Sequence, residues 1–452
     1  MQTHYARRTT GAAAGAGLIA ALVLALPAAA QRVSGDNRPF GNGGVTSFAP
    51  VQGRGYRLDA SVATLYDSNI LRSGQGFGNF GGYTKSDFRI TPRASGAVGV
   101  MVGRQQLFFG GEFGRDFYLR NPTLNRNRYG AGVGANLRAG RTCEASLSGE
   151  YLNQRALLSE VATIVNDVQT TYNYNGSFNC TPPIGIGFGG TVHHSDTRYD
   201  LATRQVFNAR STAYTGYLSY GLPAIGLFQL GGGYTRVDYP RRFVVTAVGA
   251  GGVTGTNDGL DIYNGRLGYR RGLGVRMTIE AGVAYNKVKP DPNTIFFPVR
   301  VGQLVGYVPN TRDGYGGIGF DGTITYRPSP RITGDLRLSR DVTSSPTVGA
   351  LYVVNTLVGA DASYKIGPSL VTGIGGTYNN RDYRGSFSSP EEPLARSNDN
   401  IYRVYGRVTY APRTLYTIDF EVAHERRDSK PAIYSTAGTT AQVTLRVKLG
   451  RG

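Results

Sequence analysis

From Arg128 to Ala139 the chain alternates strictly. Tyr129, Ala131, Val133, Ala135, Leu137 and Ala139 are apolar, and Arg128, Gly130, Gly132, Gly134, Asn136 and Arg138 between them are small or polar. A period of two belongs to a strand whose two faces meet different surroundings. The pattern recurs in Thr414 to Glu425, where Tyr416, Ile418, Phe420 and Val422 oppose Thr417, Asp419, Glu421 and Glu425. In Ala441 to Leu449, Val443, Leu445 and Val447 oppose Gln442, Thr444, Arg446 and Lys448. In Val275 to Tyr285 the apolar set is Val275, Met277, Ile279, Ala281 and Val283, against Arg276, Thr278 and Glu280. Arg210 to Tyr220 is ambiguous, with apolar residues on both faces. No helical stretch interrupts the alternation after residue 55. That predicts a sheet closed on itself, with lipid outside and water inside.

Tight connections with Pro/Gly chemistry punctuate the strands at Gly103-Arg104, Gly140-Arg141, Thr181-Pro182-Pro183, Leu222-Pro223, Arg271-Gly272, Pro328-Ser329-Pro330, Gly367-Pro368 and Ala411-Pro412. Longer polar stretches alternate with them, centred near Gly76, Thr123, Ala162, Ala202, Gly249, Gly302, Pro346, Pro390 and Lys430. Eight turns and nine loops join eighteen strands, or sixteen if one hairpin is misread. The expected fold is an all-β transmembrane antiparallel barrel with short periplasmic turns and longer extracellular loops.

The N-terminus reads as export machinery. Arg7 and Arg8 form a positive region, Gly17 to Leu26 an apolar core, and Ala28-Ala29-Ala30 a cleavage site before Gln31. The core is too short to span a bilayer and Pro27 closes it. The expected organisation is a signal peptide over 1–30, a Gly/Asn/Pro-rich periplasmic lead over 31–54 and the barrel over 55–452. The expected location is the outer membrane.

Composition sharpens the picture. A mean hydropathy of −0.25 would suit a soluble protein, but half of each barrel strand faces water. Gly 65 and Tyr 30 suit a curved wall with an interfacial girdle. The formal charge of +19 loses Arg7 and Arg8 on cleavage and becomes +17. Only six of the 49 basic residues are lysine, and arginine's planar fork suits carboxylates and phosphates. Lipopolysaccharide and anionic solutes are the expected partners; a signal peptide and lipid-facing strands argue against nucleic acid.

Cys143 and Cys180 are the only cysteines in a chain expected to be exported. A hairpin from Thr142 to Cys180 places Cys143 opposite Cys180, Ala145 opposite Phe178, Leu147 opposite Gly176 and Tyr151 opposite Tyr172. One register aligns every outward residue and predicts a cross-strand disulfide at the periplasmic edge.

Catalytic and cofactor chemistry is not expected. His193 and His194 are adjacent in a strand and point to opposite faces, and His424 is a single outward histidine at the rim. The Gly-x-Gly runs lie in strands and open no helix. Strand parity instead directs a basic set into the lumen. The pore-lining candidates are Arg89, Arg93, Arg128, Arg138, Arg266, Arg337, Arg403, Arg407 and Arg446. Inward acids, among them Asp59, Glu112, Asp116, Glu150, Asp321, Asp419, Glu421 and Glu425, can pair with them across strands. Arg403 and Arg407 share a face with no inward acid between them on their own strand, so they are expected to line an anion path.

The first strand runs into Leu65-Tyr66-Asp67-Ser68-Asn69-Ile70-Leu71-Arg72. This resembles the aromatic-Asp-x-Asn-Ile opening of a family of outer-membrane β-barrel porins that accompany machinery for surface polysaccharide. The end Tyr378-Asn379-Asn380-Arg381-Asp382-Tyr383 fits the same style. The resemblance implies an outer-membrane channel taking part in exopolysaccharide secretion, supplied by periplasmic export proteins, and it carries over no catalytic residues. A general or anion-preferring diffusion porin is the alternative. A lipid- or glycan-modifying barrel enzyme is a third reading, for which no acid/base cluster stands at the rim.

Overall fold

The computed structural model describes residues 54–72, 82–155, 167–182, 184–249, 252–301, 304–345, 350–385, 397–413 and 415–451. The predicted signal peptide, nearly all of the lead and several loop centres lie outside them. The strands are β1 (Gly55–Asp67), β2 (Asp87–Val102), β3 (Gln105–Tyr118), β4 (Arg126–Ala139), β5 (Cys143–Arg155), β6 (Val168–Cys180) and β7 (Gly185–Tyr199). Next come β8 (Ala209–Leu222), β9 (Gly226–Gly249), β10 (Gly252–Leu273), β11 (Met277–Asp291), β12 (Thr294–Val301), β13 (Leu304–Thr311) and β14 (Tyr315–Ser329). The series ends with β15 (Ile332–Ser344), β16 (Tyr352–Ile366), β17 (Leu370–Arg384), β18 (Asn398–Arg413), β19 (Tyr416–Lys430) and β20 (Thr436–Arg451).

Each strand of the wall pairs antiparallel with the next one around it, and β1 pairs with β20, which closes the wall. β11 pairs directly with β14, so β12 and β13 form a hairpin standing off the wall. Twenty strands less these two leave eighteen in the barrel, as the turn count predicts. The stretch near Gly302, expected as a loop, is therefore a further hairpin. Two turns also differ from expectation. The β10–β11 turn lies at Gly274–Arg276, so Val275 and Arg276 stand in it and not on the strand faces. Likewise, β18 runs on to Arg413, past the turn expected at Ala411-Pro412.

Period-two alternation becomes an apolar outer belt. Ile186, Leu230, Ile318, Ile374 and Val404 are 60–71% exposed, an arrangement that water would penalise and hydrocarbon rewards. No helix among the described residues is long and apolar enough to cross a membrane; the strands cross it. Outward tyrosines pair across strands as an interfacial girdle, with Tyr234–Tyr263 ring centroids 5.2 Å apart and Tyr378–Tyr402 5.1 Å apart. The chain is a closed β-barrel with the apolar outer belt of a transmembrane wall.

Two devices fix the wall. Cys143 and Cys180 are disulfide-bonded. The pairs Ala145–Phe178, Leu147–Gly176 and Tyr151–Tyr172 stand in the register read from the sequence. At the β1–β20 seam the Tyr66–Arg72 motif folds into a cap. Asp67 Oδ1 accepts the Asn69 backbone N–H at 2.9 Å, Arg72 bridges both Asp67 oxygens at 3.1 Å, and Asn69 Nδ2 donates to the Ala437 carbonyl at 3.0 Å. The motif that carries the family resemblance thus ties the first loop to the last strand.

The extracellular end of the β15–β16 hairpin leaves the wall. β14 pairs with β15 only as far as Phe320–Arg340, whereas β14 continues along β11 to Tyr315 and β15 continues along β16 to Ser344–Tyr352. The face of this tip that would have pointed outward, carrying Val342, Tyr352 and Val354, packs with Leu351 against the inward residues Val237, Tyr239, Leu260, Val288 and Tyr315. Tyr239 Oη donates to the Ser345 carbonyl at 3.2 Å and Tyr352 Oη to that of Asp313 at 3.1 Å. On the tip's other side Ala350 and Val353 meet Tyr383 of β17. The tip is folded into the mouth.

Candidate functional site

Strand parity and register together place each inward side chain. Arg446 of β20 stands opposite Ser61 of β1, Ser61 opposite Arg93 of β2, Arg93 opposite Gly114 of β3, and Gly114 opposite Arg128 of β4. The small residues between these arginines leave space for them. A β-carbon at Gly114 would already touch Arg128 Cγ at 3.3 Å and Arg93 Cβ at 3.4 Å. Three arginines therefore share one lumenal row, and Arg128 Nη2 donates onward to Gln154 Oε1 of β5 at 3.3 Å.

Many lumenal charges are paired. Arg266 grips Asp321 with two bonds of 2.8 and 2.6 Å, Arg270 meets Glu280 at 2.9 Å, and Arg337 meets Asp361 at 2.9 Å. Arg93 pairs with Glu112, Arg89 lies 3.9 Å from Asp116, and Arg57 pairs with Asp59 at 2.9 Å. Arg138 and Glu144 form an exposed pair at the periplasmic rim, 3.4 Å apart.

Arg403 and Arg407 depart from expectation. They share a face of β18 as predicted, but Glu421 of β19 stands opposite Arg407 and accepts Arg403 Nη2 at 2.7 Å. The acid missing from their own strand is supplied by the next one. Arg403 also stacks over Tyr405, and Arg407 lies over Gly373 without an ion pair to a described residue.

After pairing, the excess of positive charge sits on one sector. Asp67 and Asp87, at the extracellular ends of β1 and β2, are taken up by Arg72 and by the Arg120 and Asn121 amides. Below them, Arg57, Arg89, Arg93, Arg126, Arg128, Arg446 and Lys448 face only Asp59, Glu112 and Asp116 across β20 and β1–β4. Arg446 and Lys448 make no ion pair to a described residue. The tucked β15–β16 tip packs against β9–β11 and β14, about half the circumference away, so it narrows the mouth on the side opposite the basic sector.

Sequence reasoning missed Arg126, which has lumenal parity beside Arg128, and the buried ion cluster of the mouth. There Arg312 Nη1 lies 2.5 Å from Asp258, and Arg242 reaches the same carboxylate at 3.4 Å while stacking on Tyr239. Arg312 follows the β12–β13 hairpin, which the sequence presents as loop. The histidines hold local polar contacts: His193 with Asn175, His194 with Thr212 and His424 with Thr439. Among the described residues no three metal-ligating side chains converge.

The family model described as "Putative beta-barrel porin 2" matches residues 308–449. No curated protein matches the chain. Solved structures similar to it include the ferric-catecholate import receptor Fiu from E. coli K12, at 8% identity and TM-score 0.48, covering 88% of this chain and 82% of that one. The outer membrane protein opdK from Pseudomonas aeruginosa aligns at 10% identity and TM-score 0.44, over 88% and 99% of the two chains. The ferric enterobactin receptor PfeA from the same species, as a Q482A mutant with enterobactin, aligns at 10% and 0.47 over 88% and 82%.

Proposed function

We propose that this barrel is a passive outer-membrane conduit through which an anionic exopolysaccharide is secreted. The observation that supports it is the basic sector on β20 and β1–β4, where lumenal cations outnumber carboxylates along the bore even though several are ion-paired. A fixed positive wall lowers the energy of a passing polyanion and raises that of cations. Arginine suits the task because its guanidinium stays charged and meets carboxylate or phosphate with two hydrogen bonds. The resemblance of the Tyr66–Arg72 segment to a porin family that accompanies polysaccharide machinery supports the cargo class.

The experiment is deletion of the gene in its own bacterium, followed by measurement of acidic polysaccharide in the medium and in the periplasm. The proposal expects polymer to accumulate in the periplasm and to be released again on complementation. Unchanged release would overturn it and favour a diffusion porin for small anions, which the same basic sector would also serve.

A further inference from the structure

We infer that the lumenal face of β6–β9 holds a binding site for uncharged sugar rings, floored by Tyr217 and edged by the Thr191–Thr215 hydroxyl pair. The inference rests on the reading of the barrel as a polysaccharide conduit and deepens it: the acidic cargo carries neutral sugars as well.

The reasoning starts from charge. On these strands the lumenal positions are the odd-numbered ones, since Phe178, Val192, Leu218 and Leu230 stand exposed in the outer belt. Along β6, β7, β8 and β9 as far as Tyr239, the lumenal positions hold no carboxylate, guanidinium or ammonium. The charges these strands do carry, Asp196, Arg198, Arg210, Arg236 and Asp238, all stand at even positions. The bore meets chiefly hydroxyls, amides and glycine here. A hydroxyl or an amide both donates and accepts, as a sugar hydroxyl does, whereas arginine only donates and a carboxylate only accepts. An anion finds no counter-charge on this sector, and a hydroxylated neutral group finds partners of its own kind.

Tyr217 adds a flat surface. Its Oη donates to Asn179 Oδ1 at 2.9 Å, two strands away on β6. Gly189 of β7 stands between them, in register with both. A β-carbon at Gly189 would fall 2.5 Å from Tyr217 Cζ, so the ring lies along the wall over this glycine, with one face to the backbone and the other to the bore. On the other side Gly231 of β9 stands opposite Tyr217, and no side chain rises there beside the ring. An aromatic face carries the negative side of the ring quadrupole, and the C–H side of a pyranose stacks on it.

Hydroxyls border that surface. Thr215 is two residues from Tyr217 on the same face of β8, about 6.8 Å along the strand. Its hydroxyl meets that of Thr191 at 2.6 Å. Each hydroxyl has one donor and two acceptor sites, so the shared bond fixes both side chains and leaves capacity for a ligand. Asn175 and His193, in contact with each other, continue the band one step further. A ring for the C–H face of a sugar and hydroxyls at its edge form a site for a pyranose. β5 alone separates this sector from β4 and the basic one, so a single glycan can lay its acids on one and a neutral ring on the other.

The test uses the full mature chain in a planar bilayer, with current block by maltohexaose, a β-1,4-mannohexaose and a dextran hexamer. A polyethylene glycol of matched size controls for simple volume exclusion. Saturation-transfer NMR with the same sugars on the detergent-solubilised barrel reads binding independently of conductance. At least one sugar should bind and block where the glycol does not. Tyr217→Leu, which removes the ring but keeps an apolar side chain, should raise the half-blocking concentration about tenfold, and Tyr217→Phe should leave it within about twofold. Thr191→Val/Thr215→Val should weaken block as well, and tests the site independently of the ring. Arg446→Gln should leave neutral-sugar block unchanged. Heat-modifiable gel mobility confirms that each variant remains a closed barrel. No binding of any of the three sugars, or binding unmoved by the Tyr217→Leu and threonine variants, would overturn the sugar site and leave an anion conduit intact. Sugar block that responds to these variants in a cation-selective pore would uphold the site and overturn the polyanion conduit.

Discussion

The carbonyl oxygen of Arg340 lies over Gly319 on the lumenal side of the wall, so close that a β-carbon on Gly319 would sit 2.8 Å from it. This approach is where β15 passes inside β14, and it lets the β15–β16 tip enter the mouth. The tip is held by burial of Val342, Leu351 and Val354, each contributing about 1.5–3 kcal/mol. Crowding at Gly319 costs about 1–3 kcal/mol, less than the sum of those burials. Gly319→Val should therefore leave the tip seated but loosened, seen as flicker to a larger conductance. Val342→Asp places a carboxylate in the apolar cluster and should unseat the tip, giving a steadily larger conductance. Unchanged traces for both would mean the tip does not narrow the pore.

At the β1–β20 seam, Asp67 accepts both the Asn69 amide and the Arg72 guanidinium. Asp67→Ala leaves a poorly exposed arginine without its partner and should cost roughly 2–4 kcal/mol. The temperature at which the barrel loses its compact gel mobility should fall. If that temperature holds, the motif is not a seam clasp.

Without reductant, a thiol alkylator should label neither Cys143 nor Cys180, even in denaturant, because the two are joined. Labelling of both in that condition would remove the cross-strand bond. After reduction the folded barrel should keep its heat-modifiable mobility, since the backbone ladder from Cys143–Cys180 to Arg155–Val168 holds the register on its own.

What could be read in the chain was whatever a single strand or hairpin dictates. Alternation gave the inward and outward sets, and the 37-residue separation of Cys143 and Cys180 fixed their register because every outward residue had to align with it. Pairing between other strands was not legible in the same way, since the loops between them leave register free. Arg403 and Arg407 looked unopposed for that reason, and Glu421 emerged as the ion-pair partner of Arg403, standing opposite Arg407, only once β18 and β19 were side by side. The Arg446–Arg93–Arg128 row was hidden too, because β20 and β1 meet across the whole length of the chain. The tucked tip was invisible: the sequence shows only a longer polar stretch near Pro346, and the inward turn of Val342, Tyr352 and Val354 depends on where β14–β15 pairing ends, at Phe320–Arg340.

The most direct test of an anion conduit is the reversal potential of the mature barrel under a salt gradient in a planar bilayer. The pore should be anion-selective, with a selectivity that weakens in an Arg93→Gln/Arg446→Gln double variant, because the excess charge of the β20–β4 sector is what sets it. A cation-selective wild-type pore, or an anion selectivity untouched by the double variant, would contradict it.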